Sequence, residues 1–357
     1  MRGRVISQGF AAGAVLVTAF GAPGEVHARP RSPTVLTMAV ADTAGPNAAA
    51  LAFARNVQRL SKGALLIASR IPTRQTADGE LIVIRDVEQG TVPMGWIPTR
   101  AWDAVGVSTF APLQAPFLIT NYALLQKVLE GSVGRGMLAG TRAAGVRSLG
   151  LAATDLHVPL GARRPFLGLT DFRGATLRVP SNSSLTAAML DALGAKAVSI
   201  ASGHDEFVAL KSGTIDGAVT ALAPVLLNGY YGAANYLTTN LVFFPLVGSV
   251  GINERTFESL TPAERSILSK AAAEMTRGSF VGIRARDQQE LRLLCADGLK
   301  VATSTSAQLA TLRRAEQPVY ANLETNRPTA ARIVKIQALK KKTKPTPPLR
   351  IPVGCAA

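Results

Sequence analysis

The sequence predicts an α/β chain of about two domains, built on a mostly parallel sheet with helices on its faces. Three observations carry this. Short β-prone apolar runs alternate with segments of helical apolar spacing. The 357 residues exceed one average domain, since a domain typically takes roughly 100–200. Hydrophobic residues make up 47% and aromatic residues only 5%, which suits Ala- and Gly-rich helices packed closely on strands better than an aromatic-rich sandwich.

The elements follow in order. Val35 to Val40 reads as a first strand. Asn47 to Ser61 is a helix with Leu51, Ala54, Val57 and Leu60 on one side, stopped by Lys62-Gly63. Ala64 to Ala68 is a second strand, Leu81 to Gln89 a helix, and Val92 to Ile97 a third strand. This β-α-β-α-β alternation is what implies parallel pairing. Ala123 to Leu129 and Arg135 to Ala144 read as helices, and Ser148 to Ala152 as a strand. A second unit opens at Arg173 to Val179. It continues through a helix Leu185 to Leu193 stopped by Gly194, a helix Ser202 to Leu210 with Ser202 as N-cap, and a strand Ile215 to Val219. Leu241 to Ile252 is apolar and β-prone, interrupted by Pro245 and Gly248, and suits a crossing between lobes. Thr261-Pro262-Ala263-Glu264 is a helix start: a Thr cap, Pro in the first turn and Glu three residues on. That helix runs past Met275 and continues, with a break, to Leu294.

The N-terminus reads as an export signal over residues 1–28. Arg2 and Arg4 precede an uncharged, mostly apolar run from Phe10 to Ala22, and Val26-His27-Ala28 places small residues where a cut requires them. The run is short for a membrane span of about 20 residues, and no cysteine follows the expected cut to carry a lipid. A periplasmic or extracytoplasmic location is therefore expected. Cys295 and Cys355 are the only cysteines. Export permits a disulfide between them, and two free thiols are the alternative. The formal charge is +16. Much of it lies between Arg332 and Arg350, where seven basic side chains meet no carboxylate. This Pro-rich tail, residues 336–357, is either a solvated end or a weak contact for anionic surfaces. Nucleic acid is not an expected partner, because no basic motif interleaved with aromatics occurs.

Catalytic motifs are missing. The three histidines, His27, His157 and His204, are not spaced with cysteines as zinc ligands are. The Gly-x-Ser-x-Gly elbow, the P-loop and the dinucleotide glycine fingerprint are all absent. No catalytic residue, cofactor or metal is expected. A ligand site is a better fit. Arg178 is the one arginine of the short run Ala175 to Val179, which is stopped at once by Pro180 and followed by the polar turn Ser181-Asn182-Ser183-Ser184. A guanidinium there suits a bidentate grip on a carboxylate, and a surface ion pair with Asp216 is the alternative. Trp96 ends an apolar strand as pocket wall or core residue. Thr220 ends the strand Ile215 to Val219, where open α/β sheets meet their ligands. His157 lies in a turn that could face the same crevice.

These residues carry a family resemblance. Leu113-Gln114-Ala115-Pro116-Phe117-Leu118, Asp171 to Pro180, Leu193-Gly194-Ala195, Asp205 to Gly217 and Leu260-Thr261-Pro262-Ala263 resemble, in order, segments of the solute-receptor subunits of tripartite ATP-independent periplasmic (TRAP) transporters, the DctP-like family. The similarity spans about residues 34–310. It implies a two-lobed periplasmic-binding-protein-like fold with hinged lobes and long C-terminal helices. Lobe I would comprise residues 33–155 plus about 246–285, and lobe II residues 156–245 plus about 286–335. It also implies a receptor, not an enzyme, that closes on a small organic acid and delivers it to membrane permease subunits. Arg178 falls on the family's carboxylate-binding arginine, Thr220 where many members carry asparagine, Ser181 at a polar contact, and Trp96 where sugar-acid binders carry a charged residue. Many members have a second arginine about twenty residues before the anchor. Here that neighbourhood reads His157-Val158-Pro159, which leans the ligand toward a less polar monocarboxylate. A ligand-sensing partner of a membrane sensor, and a small α/β enzyme using His157 or His204, are the competing readings.

Overall fold

One strand belongs to both halves of the molecule. In the computed structural model, which describes residues 32–40, 48–70, 78–181, 183–200 and 203–357, ten strands occur among the described residues. They are β1 (Thr34–Val40), β2 (Leu65–Arg70), β3 (Met94–Pro98), β4 (Val146–Gly161), β5 (Thr176–Val179), β6 (Lys196–Ser199), β7 (Gly217–Thr220), β8 (Tyr236–Thr238), β9 (Phe244–Asn253) and β10 (Lys300–Ala302). Their order is β2-β1-β3-β9-β4-β7-β5-β6, with β8 joined to β4 and to β10. The expected signal segment, the first residue of the helix read from Asn47, and the Ser202 cap lie outside the described residues.

The parallel pairings read from the alternation are present: β1 with β2 and β3, and β5 with β6 and β7. The two returning strands are antiparallel. β9 pairs with β3 and with β4 from Val146↔Asn253 to His157↔Phe244. The last residues of β4 then pair with β7, from Val158↔Thr220 to Gly161↔Gly217. β4 runs 16 residues, far past the strand read at Ser148 to Ala152, because its partner changes along its length. Register irregularities interrupt the β4–β9 ladder at Ser148/Gly150 and Ala153/Asp155, and the partner changes from β9 to β7 between His157 and Val158.

Each half has its own core. The helices Ala48–Leu60 and Pro262–Gly278 cover one face of the β1–β3–β9 half, burying Phe53, Val57, Leu268 and Met275 against Met38, Met94 and Val250. The second half packs Phe172, Leu177, Leu190 and Phe243 together. The expected helix start at Thr261 is present in full. The Thr261 hydroxyl accepts from the Glu264 N–H, and the Glu264 carboxylate accepts from the Thr261 N–H. The break in the long helical region falls at Gly282, whose φ of 73° only glycine adopts readily, and a second helix runs Ile283–Ala296.

The C-terminus is not a free solvated end. A helix Arg327–Lys341 buries Ile333 and Ile336 in the first half's core. Beyond it, Arg284 donates to the carbonyls of Pro347 and Pro348, and Gln288 exchanges hydrogen bonds with Arg350. Cys295 and Cys355 are disulfide-bonded, with Cα atoms 5.6 Å apart. Val301 donates to the Cys355 carbonyl at 2.7 Å, so the last residues lie along β10 in the second half. The tail thus joins a helix on one half to a strand of the other.

Candidate functional site

β5 needs only a few residues to place Arg178. Leu177 and Val179 are buried in the core of the second half, and strand alternation turns Arg178 to the opposite face. The side chain is only 4% exposed. It is therefore not a surface ion-pair residue. Asp216 is occupied elsewhere, its carboxylate accepting from the Thr176 N–H at 2.8 Å. Arg178 Nε donates to the Ile200 carbonyl at 2.9 Å and lies 3.3 Å from Glu206 Oε2. Glu206 is fully buried, on the helix His204–Ser212. The Tyr230 hydroxyl donates to the same oxygen at 2.7 Å and accepts from the Gly203 N–H at 2.7 Å. Burial pushes the Glu206 carboxyl up, and the Arg178 charge pulls it back. An arginine does not give up its proton in such a setting, and the Ile200 carbonyl and Glu206 fix the orientation of its Nε side.

A second guanidinium comes from the other half. Arg100 is the second residue of the turn Thr99–Val105, which directly follows β3. Both its terminal nitrogens donate to the Glu80 carboxylate, Nη1 to Oε2 at 2.7 Å. Nη1 also donates to the Ser181 carbonyl at 2.8 Å, three residues beyond Arg178. Ser181 Oγ is buried without a hydrogen-bond partner among the described residues.

His157 lies on the shared strand, 4% exposed, with its ring 4.7 Å from that of Phe244. Burial, with the charges of Arg100 and Arg178, pushes its pKa down to about 3. The ring is therefore neutral, and its buried Nδ1 has no partner among the described residues. Thr220 is buried at the end of β7, paired with Val158 beside His157. His157 feels the charges of Arg178 and Arg100, and Arg100 reaches the segment at Ser181, so these residues lie together where β4 changes partners; Thr220, paired with Val158, is on the sheet face opposite His157. Trp96 sits elsewhere. It packs with Leu36, Met38 and Val250 in the first half's core, and its ring fills the space over Gly248 that a Cβ would occupy.

Glu80, Arg100, Glu206 and Tyr230 were not among the residues read from the sequence. Arg100 carried a signal, since it follows a strand and a proline much as Arg178 precedes one. Glu206 follows Asp205 at a helix start, where a carboxylate reads as a capping group.

A cavity of about 320 Å³ lies on the other face of β4. Leu156 and Val158 line it with Phe117, Tyr122 and Val242, and Pro345 to Leu349 roof it. Nearby, Asp155, Asp287 and Glu290 have the spacing of a cation site. Arg286 supplies that cation from within the chain, at 3.4, 2.9 and 3.5 Å from the three carboxylates.

Residues 37–326 match the family described as bacterial extracellular solute-binding protein, family 7, DctP. The chain belongs to this family. Among relatives, the C4-dicarboxylate-binding periplasmic protein DctP of Rhodobacter capsulatus is 25% identical over 53% of this chain, and the match spans 56% of that protein's length. The 2,3-diketo-L-gulonate-binding periplasmic protein YiaO of Escherichia coli is 25% identical over 71% of this chain and 74% of its own length. A TRAP periplasmic solute-binding protein of Xanthobacter autotrophicus, solved with bound β-D-galacturonate, superimposes with a TM-score of 0.75 over 85% of this chain and 99% of that one, at 23% identity. The DctP-family fold is two-lobed, and β4 is the strand of this member that pairs in both halves. No helix among the described residues is long and apolar enough to cross a membrane.

Proposed function

We propose that this DctP-family chain is the extracytoplasmic receptor of a TRAP-type transporter, and that it captures a small organic carboxylate on Arg178 for delivery to membrane permease subunits. The observation that carries the reading is the buried, back-braced guanidinium at the junction of the lobes. Its Nε is committed to Ile200 and Glu206, so the fork is oriented before a ligand arrives. A planar fork matches a carboxylate in two parallel hydrogen bonds, fixing orientation as well as charge. His157 and Ser181 add neutral polar atoms beside it, while Thr220 ends β7 on the opposite sheet face. Trp96 supports the lobe I wall from within its core.

Capture without turnover suits the same groups. A buried imidazole whose pKa is about 3 is a poor base near neutral pH. Export to the periplasm agrees with the N-terminal pattern. Any attraction of the tail to anionic surfaces rests on Lys341, Lys342 and Lys344, which are exposed, since Lys340 donates to the Phe117 carbonyl.

Native mass spectrometry of freshly purified protein, followed by a thermal-shift screen of organic acids, tests the reading. A ligand bound only by the folded form raises the melting temperature with concentration. A co-purified acid or a concentration-dependent shift is expected. A screen in which no carboxylate stabilises the protein contradicts it.

A further inference from the structure

The face of β4 turned away from His157 has a chemistry of its own. Leu156 and Val158 form the floor of the cavity of about 320 Å³ there. Tyr122 of the first half and Val242 and Leu309 of the second wall it, and Pro345 to Leu349 form its roof. Its size is at the lower end of the about 300–1,000 Å³ usual for small-molecule sites. Two cations stand together at its wall. Arg313, on the helix Ser306–Ala315, lines the cavity and is exposed to solvent. The half-buried Lys340 donates to the carbonyl of Phe117, another wall residue, at 2.6 Å. Phe117 has a φ of 59°, which bulky residues rarely adopt, and its N–H is tied to the Phe243 carbonyl at 2.7 Å. The ammonium is thus held at the wall, and it has further protons to donate. No carboxylate pairs with Arg313 or Lys340 among the described residues. Burial and the Arg313 charge push the Lys340 pKa down to about 8, as neighbouring cations without an anion require.

We propose that this cavity is a second ligand site, for a small alkyl or aryl carboxylate: the acid group pairs with Arg313 and Lys340, and the apolar body lies between Leu156, Val158 and the proline roof. The acids that also line the cavity do not call for a cation. Asp155 and Asp287 have Arg286 at 3.4 and 2.9 Å, and the Tyr122 hydroxyl donates to Asp287 at 2.6 Å. Arg284 is committed to the Pro347 and Pro348 carbonyls. The unmatched charge at the cavity is therefore positive. A carboxylate there gains charge-assisted hydrogen bonds, and its apolar atoms gain in proportion to the area they remove from water. A sugar acid gains the first, but its hydroxyls would be buried against apolar walls without partners, which is costly. The inference does not rest on the Arg178 reading, because the cavity and His157 lie on opposite faces of β4.

Calorimetric titration of the full chain with two matched pairs, octanoate against octanol and benzoate against benzyl alcohol, tests this. In at least one pair the acid should bind about tenfold or more tighter than its alcohol, as a charge-assisted contact warrants. Arg313→Glu, at an exposed position, should weaken that acid by about tenfold or more and leave the alcohol nearly unchanged. Leu309→Trp, which fills the cavity, should weaken both. Arg178→Lys should leave the acid's affinity as it is. Acids no tighter than their alcohols in both pairs overturn the inference. So does an acid whose affinity survives in folded Arg313→Glu, or is lost in folded Arg178→Lys, which would place it between the lobes instead.

Discussion

Glu206 Oε2 lies 3.3 Å from Arg178 Nε and accepts from the Tyr230 hydroxyl at 2.7 Å, so a fully buried carboxylate braces the arginine from behind. Removing one partner of a buried ion pair leaves the other charge uncompensated, and typically costs about 3–5 kcal/mol. Glu206→Ala should therefore lower unfolding stability by about 3 kcal/mol in urea melts. Glu206→Gln should cost less, yet weaken ligand binding, because a neutral amide holds the guanidinium less firmly. A Glu206→Ala chain as stable as the wild type would contradict the bracing role.

His157 makes stability pH-dependent in a stated direction. Its pKa falls from 6.5 unfolded to about 3 folded, so the unfolded chain takes up a proton that the folded chain refuses. The contribution is fully present above about pH 6.5 and is lost as pH falls toward 3, by up to roughly 5 kcal/mol. Urea melts at pH 7.5 and pH 5 should show the loss in the wild type and a smaller one in His157→Gln.

Glu316 acts in the opposite direction. Both carboxylate oxygens are buried without hydrogen-bond partners among the described residues, and burial pushes the pKa up to about 9. Stability from this residue is fully present below its unfolded value of 4.5 and declines as pH rises through 9. Glu316→Gln resembles the protonated acid without the need to bind a proton. It should raise stability at pH 8 by on the order of 2–4 kcal/mol, with little change at pH 4. Equal stability of the two proteins at pH 8 would contradict the buried, unpaired placement.

The disulfide should matter to the tail and to overall stability. Cys295 and Cys355 are separated by 60 residues, and closing a loop of that size is worth about 4 kcal/mol in the chain-entropy account. Reduction, or Cys355→Ser, should lower the melting temperature and release the last residues from β10, seen as faster amide exchange at Val301 and Ala357. Protection unchanged after reduction would show that the hydrogen bonds alone hold the tail.

Much of the fold was legible because the first half repeats a simple alternation. Val35, Leu66 and Met94 stand in or beside apolar runs separated by clear helix stops. β4 was only partly legible. Asp155, His157 and Pro159 break the apolar pattern of a strand, and they do so where it changes partners and faces the site. β8 and β10 are three residues each, too short for any periodicity. Arg178 could be found because a strand, a guanidinium and a proline adjoin in sequence. Its environment could not. Glu206 and Arg100 reach it from other elements, and spacing along the chain says nothing about such meetings. Trp96 ends a strand as a pocket residue would, but which face of the sheet it joined depended on Gly248 of a distant strand leaving room for its ring.

The account turns on Arg178 as the group that holds the ligand, and Arg178→Lys tests this most directly. The lysine keeps the charge but loses the planar fork. Titration with a carboxylate that the wild type binds should show affinity reduced about thirtyfold or more, in keeping with about 2–5 kcal/mol for a desolvated charge pair, while the variant's unfolding curve shows a folded protein. Wild-type affinity in a folded Arg178→Lys chain would contradict the account.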